Sequence, residues 1–250
     1  MDLKNFVPSA DNVEVELKIN NNKRELEANN MNKTITLLLL LITAAAATSI
    51  TSITNGDWQD TATWNTTTIP TSSDTVWIAH NVTVNSSSPA TAGTTTINSG
   101  AWLNGGTQAV TLGSLTIASG GYYDATSGTT TLAGNLTNAG TFTHNNGTVS
   151  FTTNAYLTAT TTTSLFNVYI AAAKTLNVTE NSTLGVYKIQ TANDQTTNLN
   201  LSAGVTVTMA DYSGATITGY GAINAKGTTT NPVIINMTGT PTNRYTMNIS

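Results

Sequence analysis

A turn made of small residues recurs every twenty positions in the middle of the chain. The turns Asn98-Ser99-Gly100, Ala118-Ser119-Gly120 and Asn138-Ala139-Gly140 place their glycines at positions 100, 120 and 140. A short, Thr-rich apolar run precedes each turn, as in Leu115-Thr116-Ile117. A fixed period of this length indicates one structural unit stacked on itself, because a single unit cannot bury its apolar face alone. The repeat therefore predicts a stiff rod.

The alternation of side chains after residue 50 is typical of β-strands rather than helices. Short strands at even spacing suit either an antiparallel sandwich or a parallel β-solenoid. The period of twenty favours a right-handed parallel β-solenoid, with roughly six coils over residues 94–226 and a rise of about 4.8 Å per coil. Lys174 and Gly204 occupy the turn position at longer intervals, which indicates inserted loops. Residues 141–151 also suit a local hairpin turning at Asn145-Asn146-Gly147.

The composition excludes several classes of protein. Only 9% of the 250 residues are charged, 39% are hydrophobic, and the net charge is -4. Intrinsic disorder usually needs lower hydrophobicity and a higher net charge, so we predict a folded, hydroxyl-rich all-β chain. With no cysteine there is no disulfide or thiolate metal site. We predict no binding to nucleic acid, because contacts to phosphate groups need clustered Lys and Arg. The cations after residue 50 are only Lys174, Lys188, Lys226 and Arg244.

The N-terminal region reads as an export signal. Met31-Asn32-Lys33 precedes the uncharged run of residues 34–50, which ends in small residues, so we predict a signal peptide over 31–49 with cleavage after Ala47 or Ser49. An uncleaved signal anchor and a buried core helix are the alternatives. Residues 1–30 carry ten charges, which is unlike the short start of a signal peptide. We therefore predict that they are a disordered extension, or that translation starts at Met31 and residues 1–30 are not part of the protein.

The exported part divides into a cap and a repeat. Residues 50–93 hold Trp58, Trp64 and Trp77 together with two prolines, and we predict an N-terminal β cap there. Such a cap covers the unpaired backbone at the end of a solenoid. Residues 94–250 are predicted as β-helix repeats. A fresh strand signal at Val233-Ile234-Ile235 shortly before the end predicts a reading frame that continues past Ser250.

Three segments carry a resemblance to known proteins. Residues 56–84, GDWQDTATWNTTTIPTSSDTVWIAHNVTV, resemble the N-terminal part of large secreted surface proteins of bacteria and archaea. Residues 221–236, GAINAKGTTTNPVIIN, look like a segment that is common in right-handed parallel β-helix surface proteins. Residues 135–151 are similar to the repeats of adhesin-like and autotransporter-like passenger domains. The resemblance implies a surface or adhesin-like role and transfers no catalytic residue.

We predict no catalytic, cofactor-binding or metal site and no enzyme activity. His80 and His144 lack partners at ligand spacing. Polysaccharide-active β-helix enzymes need clustered carboxylates on adjacent coils, and the acids after the signal are scattered: Asp57, Asp60, Asp74, Asp124, Glu180, Asp194 and Asp211. The stretch Gly120–Asp124 lacks the third glycine of a calcium repeat. A carbohydrate-active enzyme with catalytic coils beyond residue 250 remains the alternative.

Three residue classes suggest binding surfaces. Five aromatic residues either form an exposed strip that stacks on sugars or stack between coils in the core, namely Trp102, Tyr122, Tyr123, Tyr156 and Tyr169. Thr-x-Thr triplets, at 94–96, 129–131, 141–143, 206–208 and 216–218, would bind ice only if they stacked in register. Glycosylation sequons occur at Asn65, Asn81, Asn85, Asn135, Asn146, Asn177, Asn181, Asn200, Asn236 and Asn248, about as often as composition predicts.

Together these features predict a secreted or cell-surface solenoid that presents a Thr- and Asn-rich face for attachment or envelope assembly. Its expected partners are surface glycans or other envelope components. Membrane contact is expected only through residues 34–50, if that segment is not cleaved. An ice-binding solenoid is the third hypothesis, after the surface solenoid and the carbohydrate-active enzyme.

Overall fold

The computed structural model describes residues 21–31, 47–85, 88–209 and 216–237. It separates into two units, of which the first contains one exposed helix, α1, over residues 21–31. The second unit starts at Ala47 and contains every strand of the described residues. Of the predicted signal segment, residues 31–49, the part from 32 to 46 lies outside the described residues. Among the helices that are described, none has the length and apolar character needed to cross a membrane.

The strands are short, and they succeed one another with few other elements between them. The first twelve are β1 Ser49–Thr51, β2 Gly56–Asp57, β3 Thr75–Ile78, β4 Val82–Thr83, β5 Ala90–Ala92, β6 Thr95–Ile97, β7 Trp102–Asn104, β8 Val110–Leu112, β9 Leu115–Ile117, β10 Tyr122–Asp124, β11 Thr129–Leu132 and β12 Leu136–Asn138. The remainder are β13 Thr141–Thr143, β14 Thr148–Phe151, β15 Ala155–Ala159, β16 Thr163–Ile170, β17 Thr175–Val178, β18 Thr183–Thr191, β19 Asn198–Leu201, β20 Thr206–Met209, β21 Thr216–Thr218, β22 Ala222–Ala225 and β23 Ile234–Met237. One 3₁₀ turn, Thr61–Thr63, follows β2.

The strands form three parallel sheets that run along the rod, so the predicted all-β parallel solenoid is confirmed. The first face has the order β1-β3-β6-β9-β12-β15-β17-β19-β22, the second β2-β4-β7-β10-β13, and the third β5-β8-β11-β14-β16-β18-β20-β23. β21 pairs with β18 in addition. The alternative hairpin does not form, because β13 pairs with β10 and β14 pairs with β11, both in parallel. The antiparallel sandwich is excluded on the same ground.

The strand register reproduces the period seen in the sequence. On the first face Thr95, Leu115 and Leu136 lie opposite one another, in steps of 20 and 21 residues. The step grows to 23 residues between Val178 and Leu201. The repeat is therefore tight in the middle of the chain and looser later, as the wider turn spacing predicted.

The small-residue turns form the corner that follows the first face. The Ala101 amide donates to the Asn98 carbonyl at 3.1 Å, and the Gly121 amide donates to the Ala118 carbonyl at 2.8 Å. Gly100 and Gly120 stand third in these turns with φ of 78° and 77°, a conformation that glycine adopts at little cost. Later coils use Asn181 (φ 59°) and Gly204 (φ 72°) at the same corner. Lys174 lies at a different corner, between β16 and β17.

The interior is a continuous apolar column to which successive coils contribute side chains. Aliphatic side chains such as Leu103, Leu115 and Leu136 are fully buried, because alternate residues of each strand point inward. At the N-terminal end Trp58 and Trp64 are also fully buried and pack edge-to-face at 5.1 Å. The Trp64 Nε1 donates to the Trp58 carbonyl at 2.9 Å. Within the predicted cap segment, β3, β4 and β5 already pair with the coil that follows.

The cross-section of the rod changes after the fifth strand of the second face. In earlier coils a corner separates the second face from the third, as at His144–Gly147 between β13 and β14. In the next two coils β16 and β18 run as single strands of 8 and 9 residues. They pair with each other along nearly their whole length. The second face therefore continues along the rod as the first halves of these long strands and then as β20, which pairs with the first half of β18. β21 pairs with the second half of β18 and continues the third face.

Candidate functional site

The outward residues of β2, β4, β7, β10 and β13 form a surface that we call the aromatic face. Trp102 and Tyr122 lie directly opposite each other in the register of β7 and β10. Their side chains are 40% and 48% exposed. Adjacent parallel strands lie about 4.8 Å apart, so two large aromatic side chains rise from neighbouring coils at the same position. Such a pair is unusual on a surface, since large aromatic side chains are more often buried.

The local sequence determines that these two side chains face solvent. Ala101 and Leu103 flank Trp102 and are both buried, so strand alternation directs the indole outward. The Gly100 and Gly120 turns precede the two strands in the same geometry and bring Trp102 and Tyr122 into register. The neighbouring Tyr123 points inward and is fully buried, with its hydroxyl 2.7 Å from the Thr130 hydroxyl. Burial raises the pKa of the Tyr123 phenol.

A second column of outward side chains lies two residues farther along each strand and is polar. In register order it contains Asp57, Thr83, Asn104, Asp124 and Thr143. The Asn104 Oδ1 accepts a hydrogen bond from the Gly106 amide at 2.9 Å, which fixes that side chain beside the aromatic pair. The described solenoid residues contain the cations Lys174, Lys188 and Lys226, and none of them belongs to these five strands. The aromatic face thus combines two stacking platforms with amide, hydroxyl and carboxylate groups.

The predicted aromatic strip exists in part. Trp102 and Tyr122 come together, but Tyr123 belongs to the core, Tyr156 projects from the first face with 56% exposure, and the half-buried Tyr169 lies on the third face. The five residues cannot form one strip, because strand alternation and the corners distribute them over different sides. The structure contains a further aromatic stack that the sequence analysis did not predict, in which Phe166 lies on Tyr187 with ring centroids 4.5 Å apart. Its members are 21 residues apart in sequence, so only the register of β16 and β18 reveals it.

Three of the described carboxylates, those of Asp60, Asp74 and Asp194, hold turns and loops together. The Asp74 carboxylate is buried, yet hydrogen bonds from Thr71 and Thr48 keep its pKa below the usual value. Side-chain hydrogen bonds from Thr197 and Thr196 lower the pKa of Asp194 to about 2. Asp60 caps the 3₁₀ turn. Across the described ranges no three His, Asp or Glu side chains gather closely enough to hold a metal ion. Asp211 lies outside the described residues.

The two histidines have different surroundings. The His80 Nδ1 is 2.7 Å from the Ser52 carbonyl oxygen. The His144 ring stacks on Phe166 at 5.3 Å, and its Nδ1 accepts from the Asn146 amide at 2.9 Å. Burial lowers the pKa of His144, which keeps the ring neutral near pH 7.

Threonine and asparagine form axial columns on the first face. Thr96, Thr116, Thr137 and Thr158 occupy one column in consecutive coils. The Thr-x-Thr triplets do not stack with one another, because those at 94–96, 129–131 and 141–143 belong to three different faces. Farther along, Asn200 donates to Asn177 and Asn224 donates to Asn200, each at 2.8 Å. Two of the glycosylation sequons, at Asn177 and Asn200, therefore lie within an amide ladder that supports the sheet.

Comparison with known proteins adds no relative to this picture. No protein-family model matches the chain, and neither a curated protein nor a solved structure matches it.

Proposed function

We propose that the chain is an exported, surface-associated solenoid that attaches to neutral glycans through its aromatic face, and that it acts by binding rather than by catalysis. The observation that carries this proposal is the in-register pair Trp102–Tyr122. An exposed indole or phenol ring can cover the apolar C–H face of a sugar, and neighbouring amides and hydroxyls can bind its hydroxyl groups. Both kinds of group stand side by side on this face.

The charges favour a neutral rather than an acidic glycan. Asp57 and Asp124 lie in the polar column of the aromatic face, and its five strands carry no lysine or arginine. A uronic acid or sulfate group would meet like charge there without a cation to offset it. A neutral hexose polymer meets no such repulsion. The low charge density of the solenoid also limits attraction between the rod and charged surfaces at long range.

The rod form suits an attachment protein. Parallel coils satisfy one another's backbone groups, and the chain has no cysteine that oxidation outside the cell could alter. Export is proposed on the signal-like residues 31–49, and the adhesin-like assignment on the sequence resemblance of residues 56–84, 135–151 and 221–236. Reading the N-terminus of the native protein from fractionated cells tests export: a start near Thr48 in the envelope or medium supports it, and an intact Met1 in the cytoplasm contradicts it.

The glycan proposal is tested by retention on insoluble polysaccharides. The panel contains neutral β-glucan, mannan and galactan, with alginate as the acidic comparison. We expect retention on at least one neutral polymer and weak retention on alginate. Trp102→Ala combined with Tyr122→Ala should reduce the affinity at least tenfold, because aromatic residues dominate the energy of such contacts.

The chain offers a matched control on another side of the rod. Trp77 and Tyr156 project from the first face with exposures of 40% and 56%, close to those of the aromatic pair. Trp77→Ala combined with Tyr156→Ala removes the same kinds of side chain and should leave retention unchanged. Equal losses from both double variants, or no retention of the wild type on any neutral polymer, would contradict the proposal.

A further inference from the structure

A small notch opens on the long strands that continue the second face. Ser164, Gly185 and Thr208 are register partners on β16, β18 and β20. Gly185 has no side chain, so it leaves a gap between two hydroxyl-bearing neighbours. The cavity at this position measures about 120 Å³ and is also lined by His144, Phe166 and Tyr187. Leu165 and Val186 complete its lining, and we use the name notch for this cavity.

Stacked rings form one wall of the notch. Phe166 and Tyr187 lie parallel within 6°, with centroids 4.5 Å apart, and His144 stacks on Phe166. The rings are stacked one above another along the rod axis. The notch lies beside this stack, so it borders the edges of the rings rather than their faces. Ring edges carry partial positive charge and attract oxygen atoms such as sugar hydroxyls. Because the rings hold one another in place, the wall is formed before any ligand arrives.

The lining of the notch carries no charge at neutral pH. Burial lowers the pKa of His144, and the hydrogen bond from the Asn146 amide occupies the Nδ1 lone pair of the neutral ring. The other polar groups are the hydroxyls of Ser164, Thr208 and Tyr187. A cavity of this size with hydroxyls on its rim and no charged group suits an uncharged, hydroxyl-rich unit.

The notch lies in line with the aromatic face. β13, the last strand of that face, packs against β16. Four coil steps separate Trp102 on β7 from Gly185 on β18, a distance of about 19 Å along the axis. A polymer that lies along the rod and stacks on Trp102 and Tyr122 therefore passes over the notch. A mono- or disaccharide is too short to reach both places.

We propose that the notch is a second subsite for the same neutral polysaccharide, and that the protein binds an extended chain in preference to short oligosaccharides. This inference rests on the proposed glycan attachment and adds to it a minimum ligand length. The affinity should rise as the oligosaccharide grows from a disaccharide and level off once one chain occupies both places.

Filling the notch with a side chain tests the inference without threatening the fold. A Cβ at Gly185 would lie 3.5 Å from the Ser164 Oγ, an ordinary contact, and valine is favoured in strands. Affinities of wild type and Gly185→Val are measured with a length series of whichever neutral glucan, mannan or galactan the wild type retains. We expect the variant to lose about tenfold for the longest oligosaccharides and nothing for the disaccharide. Thr116→Val, on the first face, is the control and should match wild type throughout.

The outcomes separate the two proposals. If Gly185→Val binds every length as the wild type does, or if wild-type affinity does not depend on length, the notch is not a subsite, while binding at Trp102 and Tyr122 still stands. If the wild type binds none of the three polymers, the proposed glycan attachment fails and the second subsite fails with it. Loss at the disaccharide as well as at the polymer would also overturn the inference, because the notch would then affect the primary site.

Discussion

The adjacent tyrosines at positions 122 and 123 give the sharpest test of how each coil is built. Tyr123 is fully buried and its hydroxyl lies 2.7 Å from that of Thr130, which is 1% exposed. Removing one hydroxyl leaves the other buried without this partner, which costs about 1–3 kcal/mol. Tyr123→Phe and Thr130→Val should each lower the free energy of unfolding by that amount. The double variant should cost less than the two changes added together, because neither hydroxyl is then left behind.

The assay is a double-mutant cycle on the free energy of unfolding, measured by urea titration. The cycle should give a coupling of about 1–3 kcal/mol between the two positions. Tyr122→Phe serves as the control, since that side chain is exposed and the change should stay within about 0.5 kcal/mol of wild type. Additive costs at positions 123 and 130, or a larger effect at 122 than at 123, would refute the assignment of inward and outward faces.

Three further predictions concern the cap, the coil spacing and pH. Trp64→Ala should destabilise the protein by about 3–5 kcal/mol, whereas Trp77→Ala should cost clearly less, because Trp77 is 40% exposed and Trp64 is fully buried; equal costs in denaturant titrations would contradict the buried cap. Gly140→Ala places a Cβ against carbonyl oxygens of the preceding coil and 2.7 Å from a core methyl group, which should cost about 1–3 kcal/mol, while Gly185→Ala, where a Cβ has room, should not destabilise. The pKa of His144 is lowered by burial, so the unfolded chain binds protons more readily, and stability should fall as the pH drops below about 6.5. His144→Phe should flatten that slope in melts at a series of pH values, and an unchanged slope would contradict the role given to this ring.

The sequence predicted the fold because one structural rule repeats in it. Gly100 and Gly120 adopt the positive φ that a tight corner requires, so their spacing reports the coil length directly. The corner at Asn181 was missed, since asparagine also adopts positive φ but is common throughout this chain. The merging of two short strands into β16 and β18 was also missed. Nothing in an alternating pattern distinguishes a corner from a strand that continues.

The candidate site was harder to predict than the fold. Five aromatic residues were candidates for one strip, and only Trp102 and Tyr122 lie together. Which of two adjacent tyrosines points outward depends on the phase of the strand, and that phase is set by the turn before it. The notch depends on contacts between residues about twenty positions apart, such as Phe166 and Tyr187. Such a contact follows from the register between coils, which the looser spacing of the later repeats leaves open.

The most direct test of the account is a distance measurement along the rod. The chain has no cysteine, so Trp77→Cys combined with Thr158→Cys provides two unique positions for spin labels. These residues belong to one outward column, through Thr96, Thr116 and Thr137. Four coil steps should place their backbones about 19 Å apart, although 81 residues separate them in sequence. Pulsed electron paramagnetic resonance should give one narrow distribution near that distance, and moving the second label to Thr137 should shorten it by about one coil rise. A broad distribution, or a distance that does not shorten with that move, would contradict the stacked parallel coils on which the aromatic face and the notch depend.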